Sequence, residues 1–133
     1  MMKIFTTLLF AFCVTNLSHA GTAEGKRALK NQNFAVALKE LRPAAAKGDP
    51  EATYLLGGMY GAGFGVKKDA KKAVELYGEA ANSGHVGAQK EYGAALALGE
   101  GIEKNTDEGL KWLMIAVQQG HQGARDFAKN FTK

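Results

Sequence analysis

The chain repeats itself every 36 residues, and that period limits its fold more than any other feature. Moved forward by 36 positions, Ala52, Gly57, Gly63, Gly65, Ala80, Gly84, His85 and Ala88 fall on Ala88, Gly93, Gly99, Gly101, Ala116, Gly120, His121 and Ala124, every pair identical. Val66 falls on Ile102, while Ala37, Ala44, Ala45, Gly48 and Ala52 stand 36 before Ala73, Ala80, Ala81, Gly84 and Ala88. A period of about 20 to 50 residues marks an array of stacked supersecondary units, none of which can bury its apolar face alone.

Each unit reads as two helices. "DPEATYLLGGMY" offers Asp49 as an N-cap and Pro50 at the first helical position, where its missing N–H costs nothing. Ala52, Leu56, Met59 and Tyr60 then recur at helical spacing. A second helix starts at Asp69, buries Ala73, Leu76, Tyr77, Ala80 and Ala81, and ends at Gly84, a residue suited to the left-handed cap. "NTDEGLKWLMIAVQQG" repeats this, with Asn105 and Glu108 spaced for a capping box. Gly57 and Gly93 lie inside first helices, where glycine costs about 1 kcal/mol against alanine. A close approach of neighbouring helices would offset that cost.

The stretch "GAGFGV", residues 61 to 66, resembles a phosphate-binding loop only at first sight. A dinucleotide fingerprint needs a third glycine where Val66 stands, and a strand before it. The preceding "EATYLLGGMY" has no period-2 alternation. Gly63 and Gly65 recur as Gly99 and Gly101, whereas Gly61 becomes Ala97, so the stretch reads as a shared turn between paired helices.

At these residues the sequence resembles the Sel1-like repeat family, which is related to the tetratricopeptide repeats. Ala52, Leu56, Gly57, Tyr60, Gly63, Gly65, Val66, Asp69, Lys72, Ala73, Ala80, Ala81 and Gly84 match its pattern, and the second unit keeps Ala88, Gly93, Gly99, Gly101, Trp112, Ala116 and Gly120. The departures are Tyr92, Leu96, Ile102, Asn105, Glu108, Gly109 and Val117. Gly109, inside a helix, is the least conservative and is expected to weaken its unit. The resemblance implies an all-α fold, a short right-handed α-α superhelix. Its expected units are 21–51, 52–87 and 88–123, followed by a capping helix at 124–133. Residues 21–51 look like a first unit with a shorter turn at Lys30 to Asn33.

The first twenty residues stand apart. A positive "MMK", the apolar "IFTTLLFAFCV" and Ser18-x-Ala20 before Gly21 have the form of a secretory signal peptide. The apolar run is shorter than the roughly 20 residues that span a bilayer, so no stable membrane insertion is expected after cleavage. Cleavage would also remove Cys13, the only cysteine, leaving a domain held by packing alone. The chain carries 17 Lys and Arg against 13 Asp and Glu, a net charge of +4, but the signs are interspersed. That pattern suits a solvated mixed-charge face better than a nucleic-acid partner. The expected location is periplasmic or secreted.

Chemistry finds few candidates. After cleavage the only serine is Ser83 at a helix end, and no S-x-x-K, G-x-S-x-G or H-E-x-x-H occurs. Some cysteine-rich members of the family are associated with β-lactam binding or hydrolysis, but the cysteine pairs that mark them are absent here. His85 and His121 form a matched pair, yet zinc takes three or four ligands, and they read as parts of the turns between units. Neither an enzyme nor a cofactor or metal site is expected.

What remains is protein binding. In the related tetratricopeptide arrangement the first helix of each pair lines a concave face, which selects Glu51, Tyr54, Leu55 and Gly58, then Lys90, Glu91 and Ala94, then Asp126 and Asn130. Tyr54 and Lys90 are the strongest individual candidates, an aromatic anchor and its charged rim. Trp112, Tyr60, Tyr77 and Phe34 read as core aromatics. The expected partner is another protein: an envelope complex that the module adapts or regulates, or a toxin or hydrolase that it neutralises.

Overall fold

Each 36-residue period folds into a pair of 13-residue helices joined by turns of fixed geometry. The structure, a computed structural model, describes residues 19–132. Helix α1 is described over 19–30, and α2 (Phe34–Ala46), α3 (Pro50–Ala62), α4 (Ala70–Asn82), α5 (Val86–Leu98), α6 (Thr106–Gln118) and α7 (Gln122–Ala128) follow. A 3-10 turn, Lys129–Phe131, succeeds α7, so the expected capping helix is shorter than 124–133. Among the described residues there is no strand. The expected leader lies outside them except for His19 and Ala20, which belong to α1.

The turns between units are three residues long because one residue serves two helices. At the end of α2, the Gly48 N–H donates to Ala45 O and the Asp49 N–H to Ala44 O. This is a Schellman motif, which needs the left-handed conformation that Gly48 adopts at φ +86°. Asp49 then caps α3, its Oδ1 accepting from the N–H groups of Glu51 (3.0 Å) and Ala52 (3.2 Å), while Thr22 Oγ1 donates to its Oδ2. Gly84 with His85, and Gly120 with His121, repeat the motif at the ends of α4 and α6. The backbone carbonyls and N–H groups left over at both helix ends are thereby satisfied within a few residues.

The core follows from this register. Ala44, Ala80 and Ala116, at the ends of second helices, and Ala52, Ala88 and Ala124, at the starts of first helices, are all buried. Alanine allows the tight turn to bring consecutive helices together, and larger side chains fill the spaces beyond. Leu38, Leu41, Leu56, Met59 and Leu76 form the largest cluster; Leu113 packs with Ala116, Ala124 and Ala128 at the other end. Each helix from α2 onward packs on the next, and α5 also touches α7.

Within each pair the inner glycines behave as the repeat predicts. Gly63 and Gly65 have φ of +75° and +70°, and Gly99 and Gly101 have +75° and +71°. Gly61 lies within α3. The second turn rests directly on the preceding unit, since a Cβ on Gly101 would stand 2.5 Å from Ala70 O. The capping box is only half made. Asn105 Oδ1 accepts from the Glu108 N–H at 3.1 Å, but the Asn105 N–H donates to Leu96 O, which leaves it no role for the Glu108 carboxylate.

The helix glycines show where backbones converge. A Cβ on Gly93 would stand 2.8 Å from Gly109 O, and one on Gly109 would stand 2.6 Å from Gly93 O and 2.7 Å from Ala97 N. Gly93 and Gly109 together therefore let α5 and α6 approach, and that contact acts against the helix-propensity cost expected of Gly109.

Candidate functional site

The first helix of a unit begins with a capping residue, and side chains of its first turn lie beside the start of the next first helix. Glu51 of α3 lies there. Its Oε1 accepts from Lys26 Nζ of α1 at 2.7 Å, and its Oε2 is 2.6 Å from Nε2 of His85, the residue capping α5. His85 Nδ1 accepts from the Ala88 N–H at 3.0 Å, so the neutral ring carries its proton on Nε2 and donates it to Glu51. Tyr54 stacks on the His85 ring, centroids 4.4 Å apart, and Gly87 leaves the space they share. One carboxylate thus ties three successive first helices together.

Electrostatics follow. Burial raises the Glu51 carboxyl, but the hydrogen bonds from Lys26 and His85, with the charge of Lys26, outweigh it and leave its pKa below the ordinary 4.5. Tyr54 meets Tyr77 of α4 at 5.8 Å. Burial first, then the charge of Glu91 and of Tyr54 itself, pushes Tyr77 up to about 12. Burial, Glu91 and Glu51 likewise raise Tyr54.

Beside these rings lies an open pocket of 290 Å³ lined by Leu29, Phe34, Leu55, Gly58, Met59 and Phe64 together with both tyrosines. Phe64 is 47% exposed and stacks on Phe34 at 4.7 Å, an apolar wall facing solvent. Tyr77 also borders a second pocket, of 500 Å³, lined by Glu91, Ala94, Glu100 and Lys68.

The structure therefore brings Glu51, Tyr54, Leu55 and Gly58 together on one surface, with Glu91 at its edge. Lys90 forms an ion pair with Glu91 at 3.0 Å. Ala94 is 8% exposed, because α5 is packed between α4 and α6 and is buried continuously from 93 to 97, and it reaches the surface only as part of the floor of the second pocket. Asp126 is exposed on α7 and paired with Lys129, while Asn130 lies beyond α7 in the 3-10 turn. Sequence reasoning missed Lys26, Phe64, Tyr77 and His85 as members of this surface. The available signal was register: the 36-residue period relates position 51 to position 87, two residues from His85, while the contact itself depends on how the first helices stack.

The histidine repeat carries half of the arrangement. His121 Nδ1 accepts from the Ala124 N–H at 3.1 Å, repeating the cap. The positions equivalent to Glu51 and Tyr54 are Gly87 and Lys90, so the carboxylate and the ring do not recur. Among the described residues no three His, Cys, Asp or Glu side chains converge as a metal site would require, and no helix is long and apolar enough to cross a membrane.

The model of the Sel1 repeat matches residues 50–85 and 86–121. The chain belongs to the Sel1 repeat family. Those units start two residues before the expected divisions at 52 and 88, at the helix starts Pro50 and Val86. The chain is similar to a Sel1 repeat protein from Oxalobacter formigenes, with a TM-score of 0.80 and 30% identity, over 94% of this chain and 97% of that one. A protective antigen of uropathogenic Escherichia coli with the same repeat fold gives a TM-score of 0.77 at 29% identity over 83% of this chain and 24% of the antigen. Cysteine-rich protein B of Helicobacter pylori shares the fold alone, at a TM-score of 0.65 and 20% identity, over 80% of this chain and 96% of that one. Chitin synthase regulatory factor 2 of Schizosaccharomyces pombe is 36% identical over 78 residues, 58% of this chain but 15% of that protein's length. Sel1 repeat proteins are generally protein-interaction modules.

Proposed function

We propose that this protein is an exported binding module, an adaptor or regulator in the cell envelope that engages a protein partner on the face of α1, α3 and α5. The observation that carries the reading is the open apolar pocket beside Tyr54, on a surface whose charged residues are fixed by side chains from three helices. Aromatic anchors beside a polar rim are what binding surfaces use, and helices locked in register present them without a large ordering cost. The name of the Schizosaccharomyces relative, a regulatory factor, supports a regulatory role for such repeats.

Affinity capture from envelope extract tests the reading. The wild-type protein should retain a specific partner, and Tyr54→Ala and Leu55→Glu should lose it while keeping their helical circular dichroism. Capture unaffected by both substitutions would remove this face from the function. Capture of one secreted toxin or hydrolase, with loss of its activity, would turn the reading from adaptor to inhibitor. Export is tested separately by sequencing the N-terminus of protein from the periplasmic fraction, where Gly21 is the expected first residue.

A further inference from the structure

We infer that this face, taken as the docking surface proposed above, receives a partner segment in which an aliphatic or aromatic side chain is closely followed by lysine or arginine. The apolar residue enters the pocket between Leu55 and Phe64, and the cation lies across Tyr77 toward Glu91 and Glu100.

Three observations select this chemistry. The 290 Å³ pocket has walls of leucine, methionine and aromatic side chains, and Phe64 stays 47% exposed on its rim. An apolar anchor removes that surface from water. The second pocket shares Tyr77 with the first, and two carboxylates, Glu91 and Glu100, line it against one ammonium, Lys68. A segment passing from one pocket to the other therefore crosses a tyrosine and meets carboxylates. Finally, the charges that act on the two tyrosine hydroxyls are negative: Glu91 on both, with Glu51 also on Tyr54. Aromatic faces beside carboxylates attract a cation, and a guanidinium or ammonium over a tyrosine gains cation–π attraction as well.

The protein's own cations already touch these carboxylates, which sets the sign of the test. Lys90 bonds Glu91 at 3.0 Å and Lys26 bonds Glu51 at 2.7 Å, with Lys26 more than half exposed. The Lys26 pair is largely exposed and the Lys90 pair, between neighbours in sequence, is part-buried; ion pairs open to solvent contribute at most about 1 kcal/mol, and a partner's cation arriving at Glu91 competes with Lys90 for the same carboxylate. Lys90 is then a competitor of the partner. An acidic segment would instead use Lys90 and suffer from Glu91.

Random peptides displayed on phage and selected on the immobilised protein test this directly. The expected binders combine an apolar residue with a nearby Arg or Lys and lose binding to Leu55→Glu and to Phe64→Ser. For a synthetic peptide of the selected sequence, Glu91→Gln should weaken binding on the order of threefold, and Lys90→Gln should strengthen it by a similar factor. Acidic peptides that need Leu55 and Phe64, weakened by Lys90→Gln and strengthened by Glu91→Gln, overturn this inference and leave the docking face standing. Peptides indifferent to Leu55→Glu and Phe64→Ser, or no binders at all, overturn both.

Discussion

Single residues carry the sharpest predictions because the turns demand left-handed backbone at particular positions. Gly84 is at φ +89° with nothing within 4 Å of a built Cβ, so Gly84→Ala should cost about 1 kcal/mol, the backbone term alone. Gly65→Val adds a β-branched side chain 2.8 Å from Phe34 Cβ and should cost about 1–3 kcal/mol. Gly101→Val meets unyielding backbone at Ala70 and should cost more, about 2–4 kcal/mol. Gly61, the first letter of the same stretch and four residues before Gly65, reverses the sign. It is helical, its Cβ would meet Ala73 Cβ at an ordinary 3.5 Å, and the second unit already has Ala97 there, so Gly61→Ala should stabilise by about 1 kcal/mol. Thermal melts that fail to rank these four substitutions in this order would refute the turn geometry. Glu51 gives a pH test. Its folded pKa lies below 4.5, so its stabilising contribution is complete above that value and is lost as pH falls through the folded value. The Tm advantage of wild type over Glu51→Gln should therefore shrink between neutral pH and about pH 3.

Helices add requirements that no residue shows alone. Helix propensity says that Gly109→Ala should stabilise α6 by about 1 kcal/mol. The packing of α6 on α5 says the opposite, since the new methyl would sit 2.6 Å from Gly93 O and 2.7 Å from Ala97 N. Overpacking costs about 1–3 kcal/mol and cannot be relieved by a side-chain rotation when the obstacle is backbone. A lower Tm for Gly109→Ala is the expected outcome; a higher one would mean that the two helices are farther apart. Pro43 is the reverse case. It lies inside α2, is exposed, and removes one intrahelical hydrogen bond, so Pro43→Ala should raise Tm, with a gain of about 1–2 kcal/mol after the added freedom of the unfolded chain is counted.

At the scale of the whole molecule, stability is shared between neighbours, because each unit buries its apolar face on the next. The turn containing Gly101 rests on the start of α4, so Gly101→Val should lower hydrogen-exchange protection in α4 as well as in α5 and α6, with a smaller effect on α2. Protection lost only around residues 99–105 would show that the units do not support one another in this way. The chain by itself determined the 36-residue period and its helix pairs, and what is encoded within a few residues: the caps at Asp49, Asp69 and Asn105, and the glycines at positive φ. Those signals are legible because a cap or a left-handed turn is closed by groups at most five residues apart. Most of the α3 surface was legible too, since register alone places Glu51, Tyr54 and Leu55 on one side. Tertiary structure decided the remainder. Whether Gly109 is a defect or a contact depends on the distance between two helix axes, and so does the burial of Ala94 between two neighbours. The meeting of Lys26, Glu51 and His85 depends on three helices stacking with their starts aligned. No local pattern specifies such distances; they are fixed only when the alanines at the unit junctions pack and bring side chains about 30 residues apart into contact.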